Sequence, residues 1–106
     1  SMSEFQPFDE QDAIEYIRAM IPRDIAIRID DDDILFVIDH VWNWYEQNGF
    51  LDISLDDTDD SEVDPDTIIE YVQKFVARRR NLSITTEDVK PIVLAQLDYE
   101  RSLEDF

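Results

Sequence analysis

Carboxylates are the groups in this chain with the most chemistry to offer. The 106 residues include 27 Asp and Glu against nine Lys and Arg, a single His and no Cys, giving a net charge of −18. Between Arg28 and Lys74 there is no basic residue at all. That interval holds Asp30, Asp31, Asp32, Asp33, Asp39, Glu46 and Asp52, and then the dense run from Asp56 to Asp66. Carboxylates at this density could hold a hard cation, share a proton as a catalytic pair, or present a negative field to a basic partner. Each use requires its own spacing.

Calcium is tested first. An EF-hand loop needs oxygen ligands at its first, third, fifth and twelfth positions, with Gly at the sixth. Counting from Asp56 gives Thr58 and Asp60 in the early positions, but Ser61 at the sixth and Thr67 at the twelfth. Counting from Asp52 places Val63 at the twelfth. No register closes the loop, and no metal or other cofactor is expected. Paired carboxylates for glycosidase-type chemistry carry no signal here, because so many acids form pairs at every spacing. His40 has Phe36 and Trp44 as its helical neighbours one turn away and no Ser or Cys beside it. The nucleophile–base arrangement of covalent catalysis is therefore missing locally, and an enzyme is not expected. Arg78, Arg79 and Arg80 form the one basic cluster. Three arginines do not offset the overall charge, so no nucleic acid is expected as a partner. They read instead as cations favoured at a helix C-terminus.

Recognition through charge is what remains. Asp56, Asp57, Asp59, Asp60, Glu62, Asp64 and Asp66 would supply a negative field, and Phe36, His40 and Trp44 an apolar face beside it. Complementary potentials speed and select encounters between proteins. The expectation is a non-enzymatic interaction domain that docks a basic protein, in the manner of nucleic-acid mimics or of immunity proteins that cap basic nucleases. The alternative is a structural protein that self-associates through the Phe36–His40–Trp44 face, with monomer and homodimer both open.

The elements that must position these groups are helical. Gly occurs once, at Gly49, whereas hairpin-rich proteins need it in their turns. Apolar residues make up 43 % of the chain, with two Trp, four Tyr and six Phe, enough for a core. Four helices are predicted. The first covers 10–21, capped by Asp9 and stopped by Pro22. The second, 32–48, has Asp30 to Asp33 at its start and Gly49 at its end. The third, 65–80, has Asp64 as N-cap and Pro65 as first residue. The fourth, 86–103, is opened by a Thr85/Asp88 capping box, with Pro91 forcing either a later start or an irregular first turn.

The second helix carries the broadest apolar arc (Ile34, Leu35, Val37, Ile38, Val41, Trp42 and Tyr45) and is expected at the centre of the bundle. On that helix Phe36 falls within the polar face and Trp44 at its edge. Phe5 and Phe8 are expected to fold back on the first helix. Residues 25–29 and 51–55 alternate apolar and polar, which allows either a minor two-stranded ribbon between them or two irregular apolar connectors. Residues 54–64 read as an acidic loop. The whole divides into an N-terminal tail, 1–8, in which Ser1 ahead of Met2 reads as an expression remnant, and a single helical domain, 9–106. No apolar run approaches the roughly 20 residues of a membrane span, no membrane is expected as a partner, and the lack of cysteine suggests a cytoplasmic protein.

Overall fold

A computed structural model describes residues 8–49 and 64–103 of the chain. Among them are five helices and no strand: α1 (Glu10–Met20), α2 (Arg23–Ala26), α3 (Asp31–Gln47), α4 (Pro65–Arg78) and α5 (Thr86–Ser102).

The helices begin where short-range chemistry starts them. The Asp9 carboxylate accepts hydrogen bonds from the N–H groups of Gln11 (2.9 Å) and Asp12 (3.2 Å), two donors that the helix leaves without internal acceptors. Asp64 does the same for Asp66 at 2.9 Å, with Pro65 in the first turn, where its missing N–H is harmless. On α3 the carboxylate of Asp33 reaches back to the Asp30 N–H at 2.9 Å, and on α5 that of Asp88 reaches back to the Thr85 N–H at 2.9 Å. Ends are equally local. Ile21 turns extended ahead of Pro22, as a residue before proline must. Gly49 takes φ +78°, the left-handed conformation that closes α3 without a Cβ penalty. α4 stops at Arg78, two residues earlier than its sequence suggests, because Arg79 adopts an extended backbone. Pro91 lies inside α5, which nonetheless begins at Thr86.

The ribbon is not formed by its first half. Residues 25–29 belong to α2 and the turn that follows it. The Ile29 N–H bonds to the Ile25 carbonyl at 3.2 Å, a helical spacing that turns Ile29 inward and leaves Ile27 77 % exposed. Apolar residues at 25 and 29 satisfy both an alternating and a helical period, and the alternation alone could not separate them. Arg18 fixes the helical solution: its guanidinium donates to the carbonyls of Ala26 and Ile29 and to the Asp31 carboxylate, the last at 2.7 Å. The other proposed strand, 51–55, and Phe5 lie outside the described residues.

α5 packs against α1, α3 and α4, and α3 packs against α1, α4 and α5, with α2 seated on α1. The second long helix therefore shares the centre with the last one. Ile17 from α1, Ile34, Val37, Ile38 and Val41 from α3, Ile68 and Val72 from α4, and Val89, Ile92 and Val93 from α5 are fully enclosed in one cluster. Phe8 lies beside Glu10, Gln11 and Ile14 of α1. Its ring meets Trp42 and Tyr99 edge-on, with centroids 5.3 and 5.4 Å apart, tying the entry of the chain to α3 and α5.

Among the described residues three polar side chains are buried: Asp33, Asp88 and Gln96. The two aspartates do more than cap their own helices. Asp33 Oδ1 accepts the Ser83 N–H at 3.3 Å, the Ser83 carbonyl accepts from Arg28 at 2.9 Å, and the same guanidinium donates to Asp88 Oδ1 at 3.0 Å. One chain of hydrogen bonds thus joins the starts of α3 and α5 to the α2–α3 turn and the α4–α5 connection. Its carboxylates are consumed by structure.

Candidate functional site

The acidic run expected to carry recognition is only partly placed. Asp56, Asp57, Asp59, Asp60 and Glu62 lie outside the described residues. Asp64 and Asp66 open α4, both exposed, one as its cap and the other in its first turn.

The aromatic face is placed in full, and it differs from the expectation. Trp44 is only 9 % exposed and belongs to the core. It follows Val41 by about one turn of α3 and Val37 by about two, and so shares their inward side. Phe36 and His40 are half-buried. Their rings stack at 4.2 Å, His40 continues onto Phe75 of α4 at 4.7 Å, and Phe75 onto Tyr71 at 5.0 Å. The Arg79 guanidinium covers the Phe36 ring at 5.1 Å, and that of Arg78 lies 5.6 Å from the Phe75 ring. This ladder forms part of the α3–α4 seam. His40 Nδ1 lies 2.8 Å from the Phe36 carbonyl, which can only accept, so Nδ1 carries the proton and the ring is fixed by its own helix. Among the described residues, His40 and the Arg79 guanidinium just past α4 lie against the Phe36 ring.

Among the described residues no group of three or more His, Asp or Glu is disposed to hold a metal ion. No helix of the described residues is long and apolar enough to cross a membrane.

The distribution of charge is more telling. Three ion pairs occur among the described residues: Arg18–Asp31 at 2.7 Å, Arg28–Asp88 at 3.0 Å and Arg101–Asp98 at 3.7 Å. Glu10, Asp12, Glu15, Asp32, Asp39, Glu46, Asp66, Glu70 and Glu87 are exposed and make none of these pairs. Lys74, Arg78, Arg79 and Arg80 gather instead toward the C-terminal end of α4, where the helix dipole favours cations. Four of the nine basic residues thus sit at one end of α4, and the exposed carboxylates left outside the ion pairs repel one another. Raising NaCl from low concentration to roughly 0.5 M screens that repulsion. The melting temperature is expected to rise by about 5 °C; a fall on addition of salt would mean that attraction between charges dominates.

A shallow groove runs along part of this negative surface, between α1 and the first turns of α3. One hollow of about 460 Å³ is lined by Phe8, Asp9, Glu10, Gln11, Ile14 and Leu35. A second, of about 400 Å³, shares Gln11 and Ile14 with it and extends past Glu15, Arg18, Ala19 and Asp31. The floor is apolar and the rim is mostly carboxylate. Sequence reasoning missed it. Leu35 belongs to the apolar arc of the second predicted helix, Glu10 and Glu15 lie on the first, and only the packing of α1 beside α3 brings them together. The nearest signal in the sequence is the Gln11–Glu15–Ala19 row at helical spacing, whose last member is too small to cover its neighbours.

Comparison with protein families, with curated proteins and with solved structures finds no match to this chain.

Proposed function

We propose that this chain is a non-enzymatic interaction domain whose acidic surface docks a basic protein. The observation that carries the reading is the state of its carboxylates. The basic residues near them are engaged within the fold, Arg18 and Arg28 above all, while Glu10, Asp12, Glu15, Asp32, Asp39, Glu46 and Asp66 are exposed and make no ion pair among the described residues. Such a field accelerates encounter with a positive surface and rejects negative ones. In character the chain is then akin to nucleic-acid mimics and to immunity proteins that cap basic nucleases, a likeness of charge alone. Self-association through Phe36, His40 and Trp44 is the weaker reading, since Trp44 is buried and the other two rings are stacked against Phe75 and Arg79.

The test is capture from a nuclease-treated lysate of the native host at low salt, followed by elution in rising salt and mass spectrometry. The control protein carries Asn or Gln at Asp56, Asp57, Asp59, Asp60, Glu62, Asp64 and Asp66; Asn at position 64 keeps the helix cap. A basic protein that elutes sharply with salt and is depleted on the control supports docking through that run. The same protein held equally by the control moves the contact to the acids of α1 and α3. Recovery of no basic protein at all refutes the reading.

A further inference from the structure

Resting on that reading, we infer that the groove between α1 and α3 receives a single amphipathic helix with Lys or Arg along its polar flanks. The floor supplies apolar contact from Phe8, Ile14 and Leu35. The rim supplies negative charge from Asp9, Glu10 and Glu15, placed on both sides of Ile14 in sequence. Arg18, the one cation in the groove, is neutralised by Asp31 at 2.7 Å and further held by backbone carbonyls, so it does not compete for the rim. Nucleic acid and acidic peptides are repelled by such a rim, whereas lysines flanking an apolar stripe meet carboxylates flanking an apolar floor.

Length points to the same occupant. The eleven residues of α1 rise about 16 Å, which matches roughly three turns of a docked helix. Helices that bind in grooves present apolar anchors one turn apart from one face. The first hollow, with Phe8 and Leu35 in its lining, offers a seat for such an anchor, and the second continues it past Ala19 between polar side chains.

The test titrates the full, isotope-labelled chain with a synthetic helix of about 14 residues, Leu on one face and Lys on the other. A scrambled peptide of the same composition is the control. Amide shifts are expected to concentrate at α1 and around Leu35, with the scrambled peptide binding more weakly. Glu10→Gln with Glu15→Gln is expected to weaken binding about tenfold, while Glu46→Gln with Glu70→Gln, which removes equal charge away from the groove, changes it less than about twofold. Both pairs are exposed helix positions, and thermal melts verify that the variants stay folded. Shifts spread evenly over the surface, or equal weakening by both pairs, would overturn the groove while leaving acidic docking intact. Absence of binding to the patterned helix would also overturn it. The lysate capture fails separately if no basic partner exists.

Discussion

Asp88→Ala is expected to lower the unfolding free energy by about 2–3 kcal/mol and the melting temperature by about 10 °C. Asp88 is 5 % exposed and works at both of its oxygens. Oδ2 accepts the Thr85 N–H that would otherwise be left without an acceptor at the start of α5, and Oδ1 accepts from Arg28, which in turn holds the Ser83 carbonyl. Alanine removes the cap, strands a backbone donor and frees the α2–α3 turn from α5. Asn retains one acceptor and should fall between the two.

The acid limb carries a second signature. Burial pushes the Asp88 carboxyl up, but the hydrogen bond from Arg28, the Thr85 N–H and the Arg28 charge together outweigh it, and the group sits below its ordinary value. A carboxyl whose affinity for protons is lower in the folded than in the unfolded state stabilises the fold fully above its unfolded pKa, about pH 4. That contribution is lost as pH falls through the lower folded value. Relief of self-repulsion on acidification affects wild type and variant alike and cancels in the difference between them. Urea melts should therefore show a constant gap between wild type and Asp88→Ala at neutral pH that narrows below about pH 4. A gap under about 0.5 kcal/mol at pH 7, or one that does not narrow in acid, would contradict this role.

Gln96→Met is expected to act in the opposite direction, raising stability by about 1 kcal/mol and the melting temperature by about 4 °C. Gln96 is fully enclosed at the middle of α5. Its Nε2 donates to Glu100 Oε2 at 3.0 Å, while its Oε1 has no hydrogen-bond partner among the described residues. A buried carbonyl without a donor forfeits the hydration it had in the unfolded chain. Methionine has similar length and helix propensity and places no polar atom there. Glu100 keeps the Tyr45 hydroxyl at 2.6 Å after the change. A loss of 1 kcal/mol or more, read by the same melts, would show that Oε1 is satisfied in solution.

These two side chains also mark where sequence reading stops. Asp9, Asp64, Pro65, Thr85 and Asp88 signal helix starts through contacts two or three residues away, so four long helices were legible to within a residue or two. The C-terminus of α4 was less so, because nothing local says that Arg79 leaves the helix to cover Phe36. α2 escaped because Ile25 and Ile29 fit two periods at once, and the choice is made by Arg18, a residue from the preceding helix. Asp88 was legible as part of a capping box, but that it and Gln96 are buried follows from the packing of α5 and not from any local pattern. Phe36 and His40 were legible as unusual on a polar face, but which helix covers them is a matter of tertiary packing. The groove was beyond reach for the same reason, since Leu35 of α3 joins Ile14, Glu10 and Glu15 of α1 only through packing.

The central claim is that exposed carboxylates recognise a basic partner. The most direct test is the dissociation constant of the captured partner between about 50 and 300 mM NaCl, for wild type and for a chain neutralised at Glu10, Glu15, Asp32, Asp39, Glu46, Asp66 and Glu70. The neutralised chain should melt no lower than wild type, since these groups make no ion pair among the described residues. Wild-type binding should weaken steeply across that range, and the neutralised chain should bind weakly with little response to salt. Wild-type binding indifferent to salt, or equal binding by a neutralised chain that is well folded, would contradict the claim.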